Sequence, residues 1–193
     1  MPVATLPPAA AEVLAFWFGD ADVARLEWFR KDPAFDDLIR QRFGGLIEQA
    51  LAGAIDDWAA TPEGALARIV VLDQFPRNVF RDTPRAFAGD RQALAAARAL
   101  VDTGGDRLLP PRRRSFVYLP FEHAEDRAAQ QTAVDLFGAL AAERPDLADL
   151  LEWARRHQVA IERFGRFPHR NRVLGRVDTA EEAAFLLEPG SRF

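Results

Sequence analysis

DPAFDDLIRQRFGGLIEQAL, Asp32–Leu51, is the stretch whose reading decides the fold class. Phe35, Leu38, Ile39, Phe43, Leu46, Ile47 and Leu51 recur at the three- and four-residue spacing of one helix face, with Arg42 the lone polar member of the series. Asp32 ahead of Pro33 supplies an N-cap and an N1 residue. A carboxylate can accept the free N–H groups of the first turn, and proline lacks only an N–H that has no partner there. Gly53 ends the helix. Gly44 and Gly45 weaken its middle, and close approach by another helix is one reason for them.

The same grammar extends in both directions. Pro7 and Pro8 open an earlier helix whose apolar end is Val13, Leu14, Phe16, Trp17 and Phe18, with Gly19 as its stop. Asp22 caps a short helix carrying Leu26, Trp28 and Phe29. Beyond a turn at Asp56-Asp57-Trp58, Thr61-Pro62-Glu63 starts a helix that is apolar nearly all round (Leu66, Ile69, Val70, Val71, Leu72) and therefore central. It runs into Asp73-Gln74-Phe75 and is expected to break at Pro76, leaving Arg77 and Asn78 in a turn. Asp82-Thr83-Pro84 is another turn. An alanine-rich helix begins at Gly89 or Asp90 and closes at Thr103-Gly104-Gly105.

Arg112-Arg113-Arg114 after Pro110-Pro111 reads as a solvated loop. Pro120 is either a helix break or an N1 residue, and the pattern leaves both open. A long helix is expected from near Glu122 to Glu143, with Val134, Phe137 and Leu140 inward. Pro145 starts the next, with Leu147, Leu150, Leu151, Ala154, Gln158 and Ile161 on its buried stripe and His157 on the exposed flank. Thr179-Ala180-Glu181-Glu182 is a capping box. No strand-like alternation competes. The expected fold is all-α, about eight to ten helices in antiparallel pairs stacked in series, forming one domain over residues 1–193.

The totals agree. A chain of 193 residues buries roughly 70% of its unfolded surface, enough for a core without staples. It has no cysteine, hence no disulfide and no thiolate ligand. Net charge −4 argues against a nucleic-acid partner. No run reaches the ~18 apolar residues of a membrane span, and the first twenty residues lack a basic n-region. A cytoplasmic protein without a leader or membrane partner is expected. Lys31 is the single lysine among 25 basic residues, so nearly every cation is a guanidinium, suited to bidentate anion recognition.

Three polar constellations interrupt the core pattern. Asp73, Gln74, Arg77 and Asn78 close an apolar helix, where they either bond its orphan carbonyls or face a ligand. Glu122, His123, Glu125, Asp126 and Gln130 fall at an expected helix start. On a continuous helix Glu122, Asp126 and Gln130 share a face, and His123 pairs with Asp126. These groups suit arginine partners; a divalent ion is the weaker alternative, since no metal-ligand motif is present. The third is FGRFPHRNRVLGR, Phe164–Arg176, where Arg166, His169, Arg170, Asn171 and Arg176 form a cradle for carboxylate or phosphate, or neutralise the acidic group. Gln74-Phe75-Pro76-Arg77-Asn78 echoes Arg166-Phe167-Pro168-His169-Arg170-Asn171, which suggests two corners aimed at shared anions.

Leu72–Asp90 (LDQFPRNVFRDTPRAFAGD), Phe116–Gln130 (FVYLPFEHAEDRAAQ) and Arg163–Arg176 together resemble a bacterial family catalogued as domain of unknown function 924. The resemblance extends from the FWFGD stretch near the N-terminus to the DTAEE cap. It implies an all-helical fold of the tetratricopeptide-like superfamily and no established function. Ala124 stands where the family often has serine, which removes a hydroxyl from that stretch.

The leading expectation is a small anionic or zwitterionic ligand, or a peptide terminus, bound among the Arg, His and carboxylate groups named above. No cofactor is indicated. A hydrolase, with or without a metal, is the alternative, using His123 or His169 as general base oriented by Asp126 or Glu125. A protein-interaction module is a third, resting on fold analogy. The sequence does not determine an oligomeric state.

Overall fold

Asp32 accepts hydrogen bonds from the N–H groups of Ala34 (3.0 Å) and Phe35 (3.2 Å), and so starts helix α2, Pro33–Leu51. The computed structural model describes residues 5–19, 23–28 and 30–191, so the expected Asp22 cap and Phe29 lie outside the described residues. Every regular element among the described residues is helical. None of these helices is long and apolar enough to cross a membrane. The chain divides into two units, Met1–Arg81 with Arg85–Pro120, and Asp82–Pro84 with Phe121–Phe193.

In the first unit α1, Pro8–Phe18, ends at Gly19 (φ 68°). Helix α3, Pro62–Ile69, is capped by Thr61 and buries Leu66, Ala67 and Ile69 completely, as its all-round apolar pattern requires. Past Ile69 the chain departs from expectation. Pro76 does not break the helix. A π-helical turn, Val70–Gln74, carries it into α4, Phe75–Val79, through a bond from Phe75 N–H to the Val70 carbonyl. The wider turn moves the hydrogen-bond frame ahead of the residue that has no N–H, so Pro76 enters at the start of a new α segment.

Phe75 is thereby driven into the core, 5.0 Å from the Phe43 ring, 5.6 Å from Trp17 and 6.2 Å from Phe16. Burying that side chain contributes about 2–3 kcal/mol. Helix α5, Asp90–Asp102, follows, with Gly89 at its N-cap.

Two other local expectations are corrected in this unit. Arg112–Arg114 are not loop residues; they form the first turn of α6, Pro111–Glu122, with Pro111 as a helix-starting residue and Arg113 lying over the Phe18 ring. A Cβ at Gly44 or Gly45 would meet nothing within 4 Å, so close helix approach is not why α2 has glycines there.

The second unit begins within α6, which runs through Pro120 and ends at Glu122. The expected helix from Glu122 starts instead at Arg127 (α7, Arg127–Glu143), because Asp126 acts as N-cap and accepts from Ala129 N–H at 2.7 Å. The fully buried Gln130 amide donates to the carbonyls of Phe121, Glu122 and Ala124, which closes the end of α6.

Helix α8, Ala148–Phe164, pairs antiparallel with α7. Gln158 donates to Gln131, and Arg127 reaches the Glu162 carbonyl. Gly165 (φ 70°) ends α8 in the left-handed conformation that glycine adopts without steric cost. The capping box is present in full. Thr179 Oγ1 accepts from Glu182 N–H at 3.1 Å, and Glu182 Oε2 accepts from Thr179 N–H at 2.7 Å, opening α9, Ala180–Phe185.

Candidate functional site

The first constellation is structural in its visible bonds. Arg77 donates to the Asp73 carbonyl (2.8 Å) and holds Asp90 through two nitrogens (2.8 and 3.1 Å), while Asn78 donates to the Gln74 carbonyl at 2.9 Å. Asp90 lies in the first turn of α5, where the helix dipole favours a carboxylate. Arg77 therefore ties the end of one helix to the start of another within the first unit. The sequence echo does not carry over to backbone: Pro76 lies on a continuing helix, whereas Pro168–Arg170 form a 3₁₀ turn.

In the second unit the residues around the end of α6 and those of the Phe164–Arg176 segment do come together. Glu125 takes both terminal nitrogens of Arg176 (2.7 and 2.8 Å) and accepts the Phe167 N–H at 2.8 Å. Burial alone would raise the Glu125 pKa, but these bonds and the charges of Arg176 and Arg170 hold it below the ordinary carboxylate value. Asn171 receives Arg176 Nε and donates to Asp178. Arg166 faces elsewhere, onto the buried Glu182 (2.6 and 2.7 Å).

Phe167 is the fixed point, fully buried between the end of α8 and the 3₁₀ turn. The Arg170 guanidinium carbon sits 4.5 Å from its ring centre. The ring of His169 lies 5.6 Å away and that of His157, edge-on, 5.5 Å. His123 stands 6.2 Å from His157. All three histidines of the chain and one buried arginine thus gather at one place.

His157 Nδ1 lies 2.9 Å from the Trp153 carbonyl and 3.2 Å from Glu122 Oε1, so Nδ1 carries the proton that faces these two acceptors. Burial, then the charges of His123, Arg170 and His169, hold His157 well below its ordinary pKa against the opposing Trp153 bond. Burial and Arg170 take His169 down to about 3, with Glu125 opposing. His157 and His169 are therefore neutral at neutral pH.

His157 was expected on an exposed flank, yet it is 6% exposed. Residue 157 falls three after Ala154 and four before Ile161, on the stripe that α8 buries, but Gln158, four after and three before, fits the same spacing. Glu122 is likewise at a helix end and not at a helix start, so Glu122, Asp126 and Gln130 do not share one continuous helical face. Among the described residues no group of three or more His, Asp or Glu is arranged to hold a metal ion.

The Glu182–Arg166 pair has its own acid signature. The Arg166 hydrogen bonds, opposed by burial and helped by the Thr179 N–H, hold the Glu182 carboxyl at about 2. A depressed carboxyl pKa adds stability above the unfolded value and loses it as pH falls through the folded one. The α9 cap should accordingly loosen between about pH 4.5 and pH 2. Glu182→Gln should flatten that part of the acid-unfolding profile, read by circular dichroism.

A family model described as "Bacterial protein of unknown function (DUF924)" matches residues 13–190. The solved structure of a protein of unknown function, ATU0120, from Agrobacterium tumefaciens is similar. It shares 40% sequence identity over 93% of this chain and 97% of that chain, with a TM-score of 0.83. No curated protein matches the chain.

Proposed function

The chain belongs to the DUF924 family of bacterial proteins of unknown function, and from that premise we propose that it binds a small oxoanion at the His123–His157–His169–Arg170 cluster. The ligand class is a carboxylate or phosphate group, carried by a small metabolite or a peptide terminus. The observation that carries this reading is Arg170, a buried guanidinium stacked on Phe167, the ring against which His157 and His169 also pack, with His123 next to His157.

Burying such a group does little for stability by itself, because desolvation offsets the attraction to its partners. A fork of N–H donors near imidazoles, with His123 and His169 half-buried, suits a planar or tetrahedral oxoanion. Sulfate, phosphate and short dicarboxylates should raise the melting temperature by about 5–10 °C at about a hundred times the dissociation constant. Sodium chloride of equal ionic strength should not. Equal shifts from all of these salts would reduce the effect to screening and end the reading.

A second reading, hydrolysis, draws on the Glu122–His157 contact, which orients one ring nitrogen as a general base requires. Turnover of a phosphate or carboxylate ester, lost in His157→Gln with the fold intact, would establish it.

A further inference from the structure

Resting on the oxoanion reading above, we propose that residues 165–178 form a strap that opens as one piece to admit the anion and closes over it. Glu125 is its clasp and Phe167 its plug. The need for such a part lies in the burial of the groups concerned. Arg170 and His157 are each 6% exposed, and Phe167, against which both lie, is fully buried. An ion the size of sulfate does not reach a guanidinium so covered without displacing part of the chain. Arg170 belongs to the covering segment itself.

The segment is built to move as a unit. Gly165 (φ 70°) turns the chain out of α8, and a Cβ there would meet nothing within 4 Å, so the pivot is uncrowded. The two ends meet where Arg166 donates to the Val177 carbonyl at 2.9 Å, and Glu182 of α9 holds the same guanidinium. Closed ends of this kind mark an Ω-loop, a compact segment packed by its own side chains. Inside it, the N–H groups of Arg170, Asn171, Leu174 and Arg176 donate to the carbonyls of Phe167, Pro168, Arg170 and Asn171 in turn. The Arg176 side chain donates to the Asn171 side chain and the Phe167 carbonyl, and Asn171 donates to Asp178. All of these bonds travel with the strap when it swings.

Its fastening to the connection between α6 and α7 is of another kind. Glu125 takes the Arg176 guanidinium and the Phe167 N–H together, so one carboxylate holds both limbs of the strap. The Arg176 and Glu125 side chains keep 23% and 25% of their surface in water. Water can therefore replace either partner at small net cost. Phe167 supplies the greater resistance, because opening takes its ring away from Ala160, Ile161 and Phe185. Further contacts of His169 and Arg170 add to it. Opening then costs part of the stability of the chain and not the whole, as in a segment that unfolds locally. It turns Arg170 to solvent and uncovers His157, and closing brings a captured anion onto that imidazole.

Native-state hydrogen exchange of the full chain, read by NMR without ligand, tests the moving unit. The amides of Phe167, Arg170, Asn171, Leu174 and Arg176 should share one protection factor within about threefold, at least about tenfold below those of Ala133 and Ala160. Glu125→Gln and Arg176→Gln should each lower it by about tenfold and leave Ala133 and Ala160 unchanged. Inorganic sulfate tests the gate. Its association rate, from the line shapes of the imidazole Cε1–H signals, should rise by the same factor in both variants. The two substitutions change the net charge in opposite senses, so electrostatic steering alone would speed one and slow the other. Strap amides with scattered protection, or with that of Ala133 and Ala160, would overturn the inference. So would a sulfate association rate that is unchanged or that follows the charge. In each of these cases sulfate binding to the unmodified chain keeps the oxoanion reading, and its absence ends both.

Discussion

Replacing Gly89 by alanine should destabilise the folded chain by about 3 kcal/mol, at the upper end of what overpacking costs, and should lower the urea midpoint without changing the slope. The reason is the turn that Pro76 imposes. Proline at position 76 denies its N–H to the Leu72 carbonyl and pushes its ring toward that same group, so the helix widens between Val70 and Gln74. The backbone of Gly89 packs against the carbonyl that this leaves behind. A Cβ on Gly89 would stand 2.1 Å from the Leu72 oxygen and 2.9 Å from its carbon. Neither backbone can yield cheaply, because Leu72 is wholly buried and the next residue, Asp90, is clasped by Arg77. Gly44→Ala and Gly45→Ala are the controls. Both sit inside α2 with nothing within 4 Å of the added methyl, so each should stabilise by about 0.5–1 kcal/mol. A Gly89→Ala midpoint that stays with these controls would show that the close approach does not constrain the fold.

The contrast among these glycines marks what a sequence can convey. Caps are written locally: Asp32 before Pro33, Thr61 before Pro62 and the Thr179–Glu182 box each depend on residues within four positions of one another, and each forms. The two internal prolines do not follow the local rule. Whether Pro76 ends a helix or passes through a wide turn is decided by how much the continuing segment buries, and Phe75 buries its entire ring. Pro120 passes through α6 as well, which moves Glu122 from an expected helix start to a helix end. In the site, Glu125 pairs with Arg176, an acidic group meeting an arginine as the spacing of charges suggested, whereas Arg170 lies over the Phe167 ring. His157 escaped because Gln158 fits the α8 stripe almost as well, and one residue of rotation separates a buried imidazole from an exposed one. Only the partner across the helix, Glu122, distinguishes the two, and that contact spans 35 positions of sequence.

Removing the Arg170 guanidinium should weaken sulfate binding by about 10–100-fold, the equivalent of one charge-assisted hydrogen-bonded contact at 1.5–3 kcal/mol. Arg170→Leu keeps an apolar stem against Phe167 and is the variant of choice. Arg170→Lys retains the charge without the fork and should lose less affinity. The prediction has an internal check that packing alone cannot mimic. After burial, the Arg170 charge is the strongest influence holding His169 down. In Arg170→Leu the His169 midpoint should therefore rise from about 3 toward the ordinary histidine range even without ligand, by about a unit or more. Arg77→Leu supplies the opposite pattern. It breaks the clasp on Asp73 and Asp90, so it should cost stability while leaving the affinity of the folded fraction for sulfate unchanged. If Arg170→Leu binds sulfate as the unmodified chain does, the guanidinium is a strut within the second unit, and the oxoanion belongs elsewhere.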